Sequence, residues 1–392
     1  MNNTDILFII LFSILFYSYL GYGIVLLILV KIKILFFKNQ TQNKNHYLPK
    51  VTLLVAAWNE ESVIEEKIKN SFELIYPKDK LNFLFVTDGS FDNTQNIIGQ
   101  YPEITLLHQE KRNGKTAAIN RAMLKVNSDI VIFSDANTML NNLAIMELVK
   151  HYDNHKIGCV SGEKRINMTP NVEAAASGEG LYWKYESKLK QWDAQLYSVA
   201  GAAGELFSIR TKLFRPLKED TILDDFMISL NTVENGYRIA YEPNAYALEN
   251  SSDGIKEEMK RKIRICAGGF QAIFRLPALL NIFRFHIFTF QYLSHRLLRW
   301  SLAPVSLFLL LPLNIYTIFS GIFFYKITLI FQLLFYTMVF LGYKNELVKT
   351  RNKFFFIPLY FAMMNYAVIL GFCRFISKNQ SPIWQRAKRK IN

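Results

Sequence analysis

The amino-terminal part of the chain carries one long apolar run, and the carboxyl-terminal part carries three more. No charged residue occurs from Ile6 to Val30, and such a run is about long enough to cross a hydrocarbon core of roughly 30 Å as a helix. Further apolar stretches lie at about 302–322, 327–343 and 354–376. We therefore expect a polar block held between transmembrane helices at both ends.

A cleaved signal peptide is the alternative interpretation of the first run. The run is longer than the apolar region of a signal peptide, no basic region precedes it, and no A-x-A-like cleavage site follows it. We predict an uncleaved transmembrane anchor at 1–33 and a polar linker at 34–50.

The chain has a formal net charge of +14, and many of its lysine and arginine residues flank the apolar stretches. The flanking basic residues are Lys31, Lys33, Lys38, Arg296, Arg299, Lys344, Lys349, Arg351 and Lys353. Lysine and arginine accumulate on the cytoplasmic side of membrane proteins, so the polar block is predicted to be cytoplasmic. Nucleic-acid binding is disfavoured, because these residues follow the membrane flanks instead of an aromatic-lined groove.

The same charge rule conflicts with the number of spans. Three spans after a cytoplasmic block would place the basic tail QRAKRK at 385–390 outside. Either one stretch is re-entrant or interfacial, or the tail departs from the rule. The three cysteines have no metal-binding spacing and imply no disulfide framework, which is consistent with a reduced cytoplasmic compartment.

Strand-like and helix-like segments alternate through the polar block from residue 51 onward. The strand-like segments begin with VTLLVAA, LNFLFV, ITLLHQ and DIVIFSD, and helical patterns separate most of them. This alternation is typical of an α/β domain with a mostly parallel sheet covered by helices on both faces.

Acidic residues follow two of these strands. Asp88 lies in VTDGSFDNT (86–94), and Asp135 and Asn137 lie in FSDANT (133–138). Ligands bind beyond the carboxyl ends of parallel strands, and a carboxylate with an amide oxygen suits a hard cation such as Mg²⁺ or Mn²⁺. Each motif alone is also compatible with an ordinary Asx-type turn.

A third acidic pair, Asp224 and Asp225, occurs in ILDDF. Neighbouring carboxylates repel, which raises the pKa of one of them, and a raised pKa suits a general base. The alternative is an acidic first turn of a helix, and both interpretations can hold together. Lys115, in RNGKTAAIN, lacks the spacing of an ATP-type phosphate loop.

Together these motifs resemble a membrane-bound family 2 glycosyltransferase with a GT-A fold, similar to bacterial polysaccharide synthase-type transferases. The resemblance covers about 50–275 and rests on VAAWNEE, VTDGSFDNT, NGKTAAIN, FSDANT and ILDDF. Thr87 and Asn137 replace acids of the family motifs, and Asp224 replaces a glutamate. The family's Q-x-x-R-W motif is matched nearest by Arg261 to Ile265, which has the arginine but neither the glutamine nor the tryptophan.

The resemblance implies a metal-dependent, inverting hexosyltransferase that uses a nucleotide-sugar donor, most often a UDP-sugar. Asp225 would be the base, with Asp224 beside it. Asp135 and Asn137 would bind Mg²⁺ or Mn²⁺. The remaining predicted site residues would hold the donor: Glu60, Asp88, Lys115 and Arg261, with Arg264 on the departing diphosphate.

The predicted architecture is a cytoplasmic GT-A domain at 51–275, an interfacial amphipathic segment at 276–300, about three spans within 301–378, and a basic tail at 379–392. The resemblance places the protein in the bacterial inner membrane, in contact with lipids, making surface polysaccharide alongside export partners, with a glycan or lipid acceptor. Two alternatives stay open: single-sugar transfer to a lipid or polyprenyl phosphate, and nucleotide-sugar binding without turnover.

Overall fold

The computed structural model describes residues 2–36, 48–167, 173–250, 255–347 and 353–378. Most of the predicted linker (34–50) and the predicted tail (379–392) lie outside these ranges. The strands are β1 Val51–Ala57, β2 Leu81–Thr87, β3 Ile104–Leu107, β4 Ile130–Asp135, β5 Thr138–Leu140, β6 Ile157–Asn167, β7 Leu206–Arg210 and β8 Arg238–Asn250.

The helices alternate with the strands and then dominate the carboxyl-terminal part. They are α1 Asn3–Phe16, α2 Tyr22–Phe36, α3 Ile64–Phe72, α4 Thr94–Ile98, α5 Lys115–Met123, α6 Ala144–Val149, α7 Glu173–Leu196, α8 Asp224–Glu234, α9 Ile255–Arg275, α10 Ile282–Phe285, α11 Ile287–Tyr292, α12 Leu298–Trp300, α13 Leu302–Thr317, α14 Phe323–Leu347 and α15 Lys353–Ile376. π-Helical segments lie at Tyr17–Gly21 and Leu293–Leu297.

The described strands form one sheet in the order β3-β2-β1-β4-β7-β6-β8-β5. Strands β3, β2, β1 and β4 are parallel, as predicted. Beyond β4 the sheet is mixed, since β7 runs antiparallel to both β4 and β6, while β6 and β8 are parallel. The parallel half therefore presents its carboxyl ends along one edge.

Both faces of the sheet are covered, because alternate residues of each strand enter different cores. In β1, Leu54 and Ala56 join a core with α5 and α8, whereas Leu53 and Val55 join a core with α3 and α6. Every residue of β1 is buried. This explains its unbroken apolar sequence, which is typical of a central parallel strand.

The strand register brings the acidic motifs together. Ala57 of β1 lies opposite Thr87 of β2, and Ala56 lies opposite Asp135 of β4. The segments that follow β1 and β2, including Glu60 and Asp88, thus leave the sheet at the edge where β4 delivers Asp135.

Four helical stretches are long and apolar enough to cross a membrane: Asn3–Phe36, Leu302–Ser320, Phe323–Asn345 and Phe354–Ile376. This agrees with the spans expected from the sequence. Helix α1 packs on α13, and α15 packs both on α14 and along the amphipathic helix α9. The helical region therefore reaches the sheet domain directly.

The predicted interfacial segment at 276–300 contains the short helices α10 to α12. Phe288 and Tyr292 are buried in the core shared with α8, while Ile282 and Phe283 are exposed. The segment thus has an inner face and an outer face, and its contact with lipid stays a prediction.

Candidate active site

One cavity of about 850 Å³ lies at the carboxyl ends of β1 and β4. It extends from the sheet past α8 and α9 to α15 and the amino-terminal π-helical segment. Eight predicted site residues line it: Glu60, Lys115, Asp135, Asn137, Asp224, Asp225, Arg261 and Arg264. Asp88 is not among the lining residues.

Lys115 joins two of the acidic motifs. Its Nζ atom lies 2.8 Å from Asp135 Oδ1 and 3.5 Å from Asp224 Oδ2. It is the first residue of α5 and follows Gly114, whose φ of 102° favours glycine. Burial alone would lower the pKa of Lys115, but the carboxylates of Asp135 and Asp224 raise it above its ordinary value.

Asp88 holds the loop that immediately precedes Lys115. Its carboxylate is fully buried and accepts hydrogen bonds from the backbone N–H groups of Asn113, at 3.1 Å, and Gly114, at 2.6 Å. The contacts of Asp88 are thus with the loop that leads into Lys115. Its predicted direct contact with a nucleoside stays a prediction.

Asp135 and Asn137 lie on the turn between β4 and β5. The Oδ1 atom of Asn137 is buried and has no hydrogen-bond partner among the described residues. A carboxylate and an amide oxygen facing one cavity are ligands that a hard divalent cation accepts. Within the described ranges no group of three His, Cys, Asp or Glu side chains could hold a metal, so a cation here would need further oxygens from a bound ligand or from water.

A buried lysine fixes that turn. Lys67 of α3 is fully buried, and its Nζ atom donates to Ser134 Oγ and to the carbonyl oxygen of Thr138, both at 2.7 Å. Burial lowers the pKa of Lys67 to about 7, and the Asp135 carboxylate opposes this change. The sequence pattern missed this residue, because a lysine in a charged helix is usually solvent-exposed.

Asp225 has the properties expected of a base. Burial and the neighbouring Asp224 carboxylate raise the pKa of Asp225 to about 7, while Lys115 acts in the opposite direction. Both acids lie in the first turn of α8. Gly204 lies so close that a Cβ atom there would be 3.0 Å from Asp225 Oδ2, so the absence of a side chain at Gly204 leaves room for the carboxylate.

Arg261 is engaged by acidic residues of the domain. Its Nη2 atom donates to Glu205 Oε1 at 3.0 Å and lies 3.7 Å from Glu249 Oε2. Lys164 also donates to Glu205 Oε1, at 2.9 Å. Burial would raise the pKa of Glu205, but Lys164 and Arg261 hold it well below its usual range. Arg261 thus tethers α9 to the strands, and its predicted contact with a diphosphate stays a prediction.

The comparisons with known proteins agree with this geometry. Residues 52–217 match the family described as Glycosyl transferase family 2. This part of the chain is therefore similar to a family 2 glycosyltransferase domain. It is 28% identical over 247 residues to the probable glycosyltransferase YdaM of Bacillus subtilis (strain 168), in an alignment covering 59% of this chain and 58% of that protein.

A second relative is the poly-beta-1,6-N-acetyl-D-glucosamine synthase of Staphylococcus aureus (strain COL). It is 26% identical over 237 residues, which cover 57% of this chain and 56% of that protein. The chain therefore spans less than three fifths of the curated relatives that it matches.

A solved structure extends the likeness over almost the whole chain. The mannosyltransferase PcManGT from Pyrobaculum calidifontis, in complex with GDP-Man and Mn²⁺, matches with a TM-score of 0.71 and 18% identity. The match covers 96% of this chain and 100% of that chain. At this identity the likeness shows the fold, and it confirms the predicted α/β fold of GT-A type.

Helix α7 meets the amino-terminal apolar helix and the 276–300 segment at a buried polar cluster, which lies outside the predicted site residues. Glu186 of α7 lies 3.0 Å from His295 Nε2 and from Arg299 Nη1, and 3.5 Å from Arg296 Nη1. Arg299 Nε also donates to the carbonyl oxygen of Ser18, at 2.9 Å. The cluster ties the amino-terminal helix to the cavity wall.

Residues 296–300 have the sequence RLLRW, a nearer match to the family motif Q-x-x-R-W than the segment at 261–265. Trp300 lines the cavity and packs against Gly269 of α9, where a Cβ atom would lie 2.1 Å from the indole ring. Its ring centroid is 5.4 Å from that of Phe226, the neighbour of Asp225. The spacing in SHRLLRW was the signal that could have located this tryptophan.

Proposed function

We propose that this protein transfers a sugar from a nucleotide-sugar to an acceptor hydroxyl at a membrane surface, with inversion at the anomeric carbon. The observation that carries the proposal is the convergence on one cavity of a carboxylate with a pKa of about 7, at Asp225, with Lys115, Asp135 and Asn137. The family 2 domain and the glycosyltransferase names of its relatives support the same reaction.

The donor would occupy the half of the cavity nearest the sheet. Glu60 and Lys115 line this half. The Lys115 ammonium group lies beside Asp135, where it would pair with a phosphate group of the donor. A divalent cation, Mg²⁺ or Mn²⁺, would be held by Asp135 and Asn137, and its charge would neutralise the departing diphosphate. The buried, unpartnered Oδ1 atom of Asn137 supports this site.

Asp225 would accept the proton of the acceptor hydroxyl. As that proton leaves, the acceptor oxygen forms a bond to the anomeric carbon from the face opposite the diphosphate. The bond between the anomeric carbon and the phosphate oxygen breaks, and the nucleoside diphosphate departs with the bonding electrons. Arg264, near the carboxylates of Asp135, Asp224 and Asp225, would stabilise the charge that develops on the diphosphate.

The site would face the cytoplasm of a bacterial cell, where nucleotide-sugars are made, with the four apolar helices in the inner membrane. This orientation rests on the lysine and arginine bias. Export partners of a polysaccharide pathway stay a prediction from the likeness to a polysaccharide synthase.

The test is sugar transfer by the full-length, detergent-purified protein. A panel of UDP- and GDP-sugars is offered with Mg²⁺ or Mn²⁺ and bacterial lipid extract, and nucleotide release and product size are followed. Metal-dependent release that is lost in Asp225→Asn supports the proposal. The matched control is Asp79→Asn, an exposed aspartate outside the cavity lining.

Full activity of a folded Asp225→Asn protein would overturn the assignment of the base. Binding of UDP or GDP without release from any donor would favour the nucleotide-sugar-binding protein without turnover.

A further inference from the structure

Part of the cavity extends beyond the half that the donor would occupy, and we call this part the second arm. Beyond Asp225 it continues along one face of α15, the last of the four membrane-spanning helices. The residues of α15 on this arm are Ile357, Tyr360, Phe361, Met364, Asn365 and Val368. They recur every three or four positions, so they form a stripe about 16 Å long on one side of the helix.

The stripe is apolar except for the Tyr360 hydroxyl group and Asn365, and the Asn365 side chain is already engaged. Asn365 is buried, and its Oδ1 atom accepts a hydrogen bond from Tyr19 OH at 2.5 Å. A polysaccharide placed along this face of α15 would find few hydrogen-bond partners for its hydroxyl groups there, which costs free energy in an apolar environment. A hydrocarbon chain has no such requirement.

Close packing brings this stripe to the catalytic domain. Gly371 of α15 lies directly on α9, where a Cβ atom would be 2.5 Å from Cys266 Cβ and 3.0 Å from the carbonyl oxygen of Ile263. One turn later, Phe375 stacks on Phe270, with ring centroids 6.2 Å apart. The end of α15 is therefore fixed against the helix that carries Arg264.

The packing of α15 on α9 places Arg374 at the cavity. The Arg374 side chain lines the cavity, and it forms no hydrogen bond or ion pair with any described residue. Burial lowers the pKa of Arg264, and the nearby Arg374 charge acts in the same direction. Two guanidinium groups thus lie near one another at the end of a membrane span, which is the level of lipid phosphates.

We propose that this arm binds a phospholipid acceptor whose chain lies on the α15 stripe and whose phosphate pairs with Arg374, leaving Arg264 to the donor diphosphate. The head group also carries a free hydroxyl, because Asp225 acts on a proton-bearing oxygen. This inference rests on the proposed function, since it names the acceptor of the same transfer. It favours a lipid acceptor over a growing polysaccharide chain.

The experiment uses the full-length protein in nanodiscs of phosphatidylcholine and four probes. Phosphatidylglycerol has a chain, a phosphate and hydroxyl groups; phosphatidic acid lacks the free hydroxyl; diacylglycerol lacks the phosphate; glycerol 3-phosphate lacks the chain. Nucleotide release is measured with each probe, using the donor that proves active, and phosphatidic acid is also added as a competitor against phosphatidylglycerol.

We expect release to be stimulated most by phosphatidylglycerol and inhibited by phosphatidic acid. We expect Arg374→Gln to raise the KM for phosphatidylglycerol about tenfold or more, since a charge-assisted contact of this kind is lost. The matched control is Lys378→Gln, which removes a charge at the same end of α15 from an exposed side chain outside the cavity lining.

The apolar stripe is tested by a second pair of variants. Met364→Trp fills the arm, whereas Met363→Trp adds the same volume at a neighbouring position that does not line the cavity. We expect only Met364→Trp to raise the KM for the lipid. A photoreactive analogue of phosphatidic acid should label α15 in the wild type and lose that labelling in Arg374→Gln, which reports binding without turnover.

The outcomes separate this inference from the proposed function. Equal stimulation by diacylglycerol or glycerol 3-phosphate, or labelling that is unchanged in Arg374→Gln, would overturn the phospholipid site while leaving the transferase intact. Absence of nucleotide release together with absence of donor binding would overturn the proposed function. In that case labelling of α15 still decides whether the arm binds anionic lipid.

Discussion

The Nζ atom of Lys115 lies 2.8 Å from Oδ1 of Asp135. This contact joins the amino end of α5 to the end of β4, and the lysine also lies near the acidic pair of α8. One ammonium group therefore contacts the predicted cation ligand, and its charge lowers the pKa of the predicted base, Asp225.

Replacing Lys115 by glutamine should shift the pH profile of transfer. The Lys115 charge lowers the pKa of Asp225, which burial and Asp224 raise to about 7. Without that charge the pKa of Asp225 rises, and a base must be deprotonated to act. The acidic limb of kcat/KM should therefore move to higher pH, and the maximal rate should fall about tenfold or more. A limb that stays in place would separate Lys115 from the base.

Asp224→Asn should shift the same limb in the opposite direction. The Asp224 carboxylate is the main charge that raises the pKa of Asp225, after burial. Its removal lowers the pKa of Asp225, so activity should persist to lower pH than in the wild type. The measurement is kcat/KM from about pH 5 to pH 9, which brackets the expected limb. An upward shift in Asp224→Asn would show that the two acids do not titrate together.

The parallel part of the sheet, and the meeting of most candidate site residues at one cavity, could be predicted because local patterns determine them. The parallel strands β1, β2 and β4 appear in the sequence as short apolar runs that end at Asn59, Asp88 and Asp135. Parallel pairing then places these ends at one edge. Asp225 could be named as a candidate base because it belongs to an acidic pair at the start of a predicted helix, and its role stays a prediction.

Other parts of the site depend on long-range packing that no local pattern reveals. Asp88 binds the backbone of a loop that lies 25 residues away in sequence. Lys164 meets Glu205 only after β6 and β7 have paired. The position of Trp300 depends on the absence of a side chain at Gly269. These contacts are fixed by tertiary structure. The sequence therefore contains no indication of the partners of Asp88, and Lys164 and Trp300 looked like ordinary polar and interfacial positions.

Lys67→Met should weaken cation and donor binding with little loss of stability. The variant removes the hydrogen bonds to Ser134 Oγ and to the Thr138 carbonyl oxygen, so the turn with Asp135 and Asn137 loses its tie to α3. The unsatisfied acceptors cost about 1–3 kcal/mol, but the protein no longer buries an ammonium group, which offsets much of that cost.

The measurements for Lys67→Met are Mn²⁺-dependent donor binding by calorimetry and thermal unfolding. We expect donor affinity to fall about tenfold, which corresponds to about 1.4 kcal/mol. Lys69→Met is the matched control, because Lys69 lies on the same helix in a solvent-exposed pair with Glu65. Equal donor affinity in the two variants would show that Lys67 does not position the turn.

Glu186→Gln should destabilise the junction between α7 and the amino-terminal helix. Burial would raise the pKa of Glu186, but His295, Arg296 and Arg299 hold it well below its usual range. The variant leaves buried cations without their shared carboxylate, which costs about 3–5 kcal/mol. Thermal unfolding in detergent should show the loss. Glu234→Gln, which breaks a more exposed pair with Arg215 at 3.6 Å, should leave the midpoint nearly unchanged, and a similar effect of both variants would contradict the assignment.

Gly201→Ala should impair transfer by displacing the residue that follows the base. A Cβ atom at Gly201 would lie 2.3 Å from the Phe226 ring, and its φ of 122° disfavours any other residue. Phe226 must move, and Asp225 moves with it, so the rate should fall by about a hundredfold. The matched control is Gly236→Ala, where φ is also positive, at 86°, but no heavy atom lies within 4 Å. That variant should lose only about 1 kcal/mol of stability and keep its activity. Equal activity of the two folded variants would show that the packing of Phe226 does not control the position of Asp225.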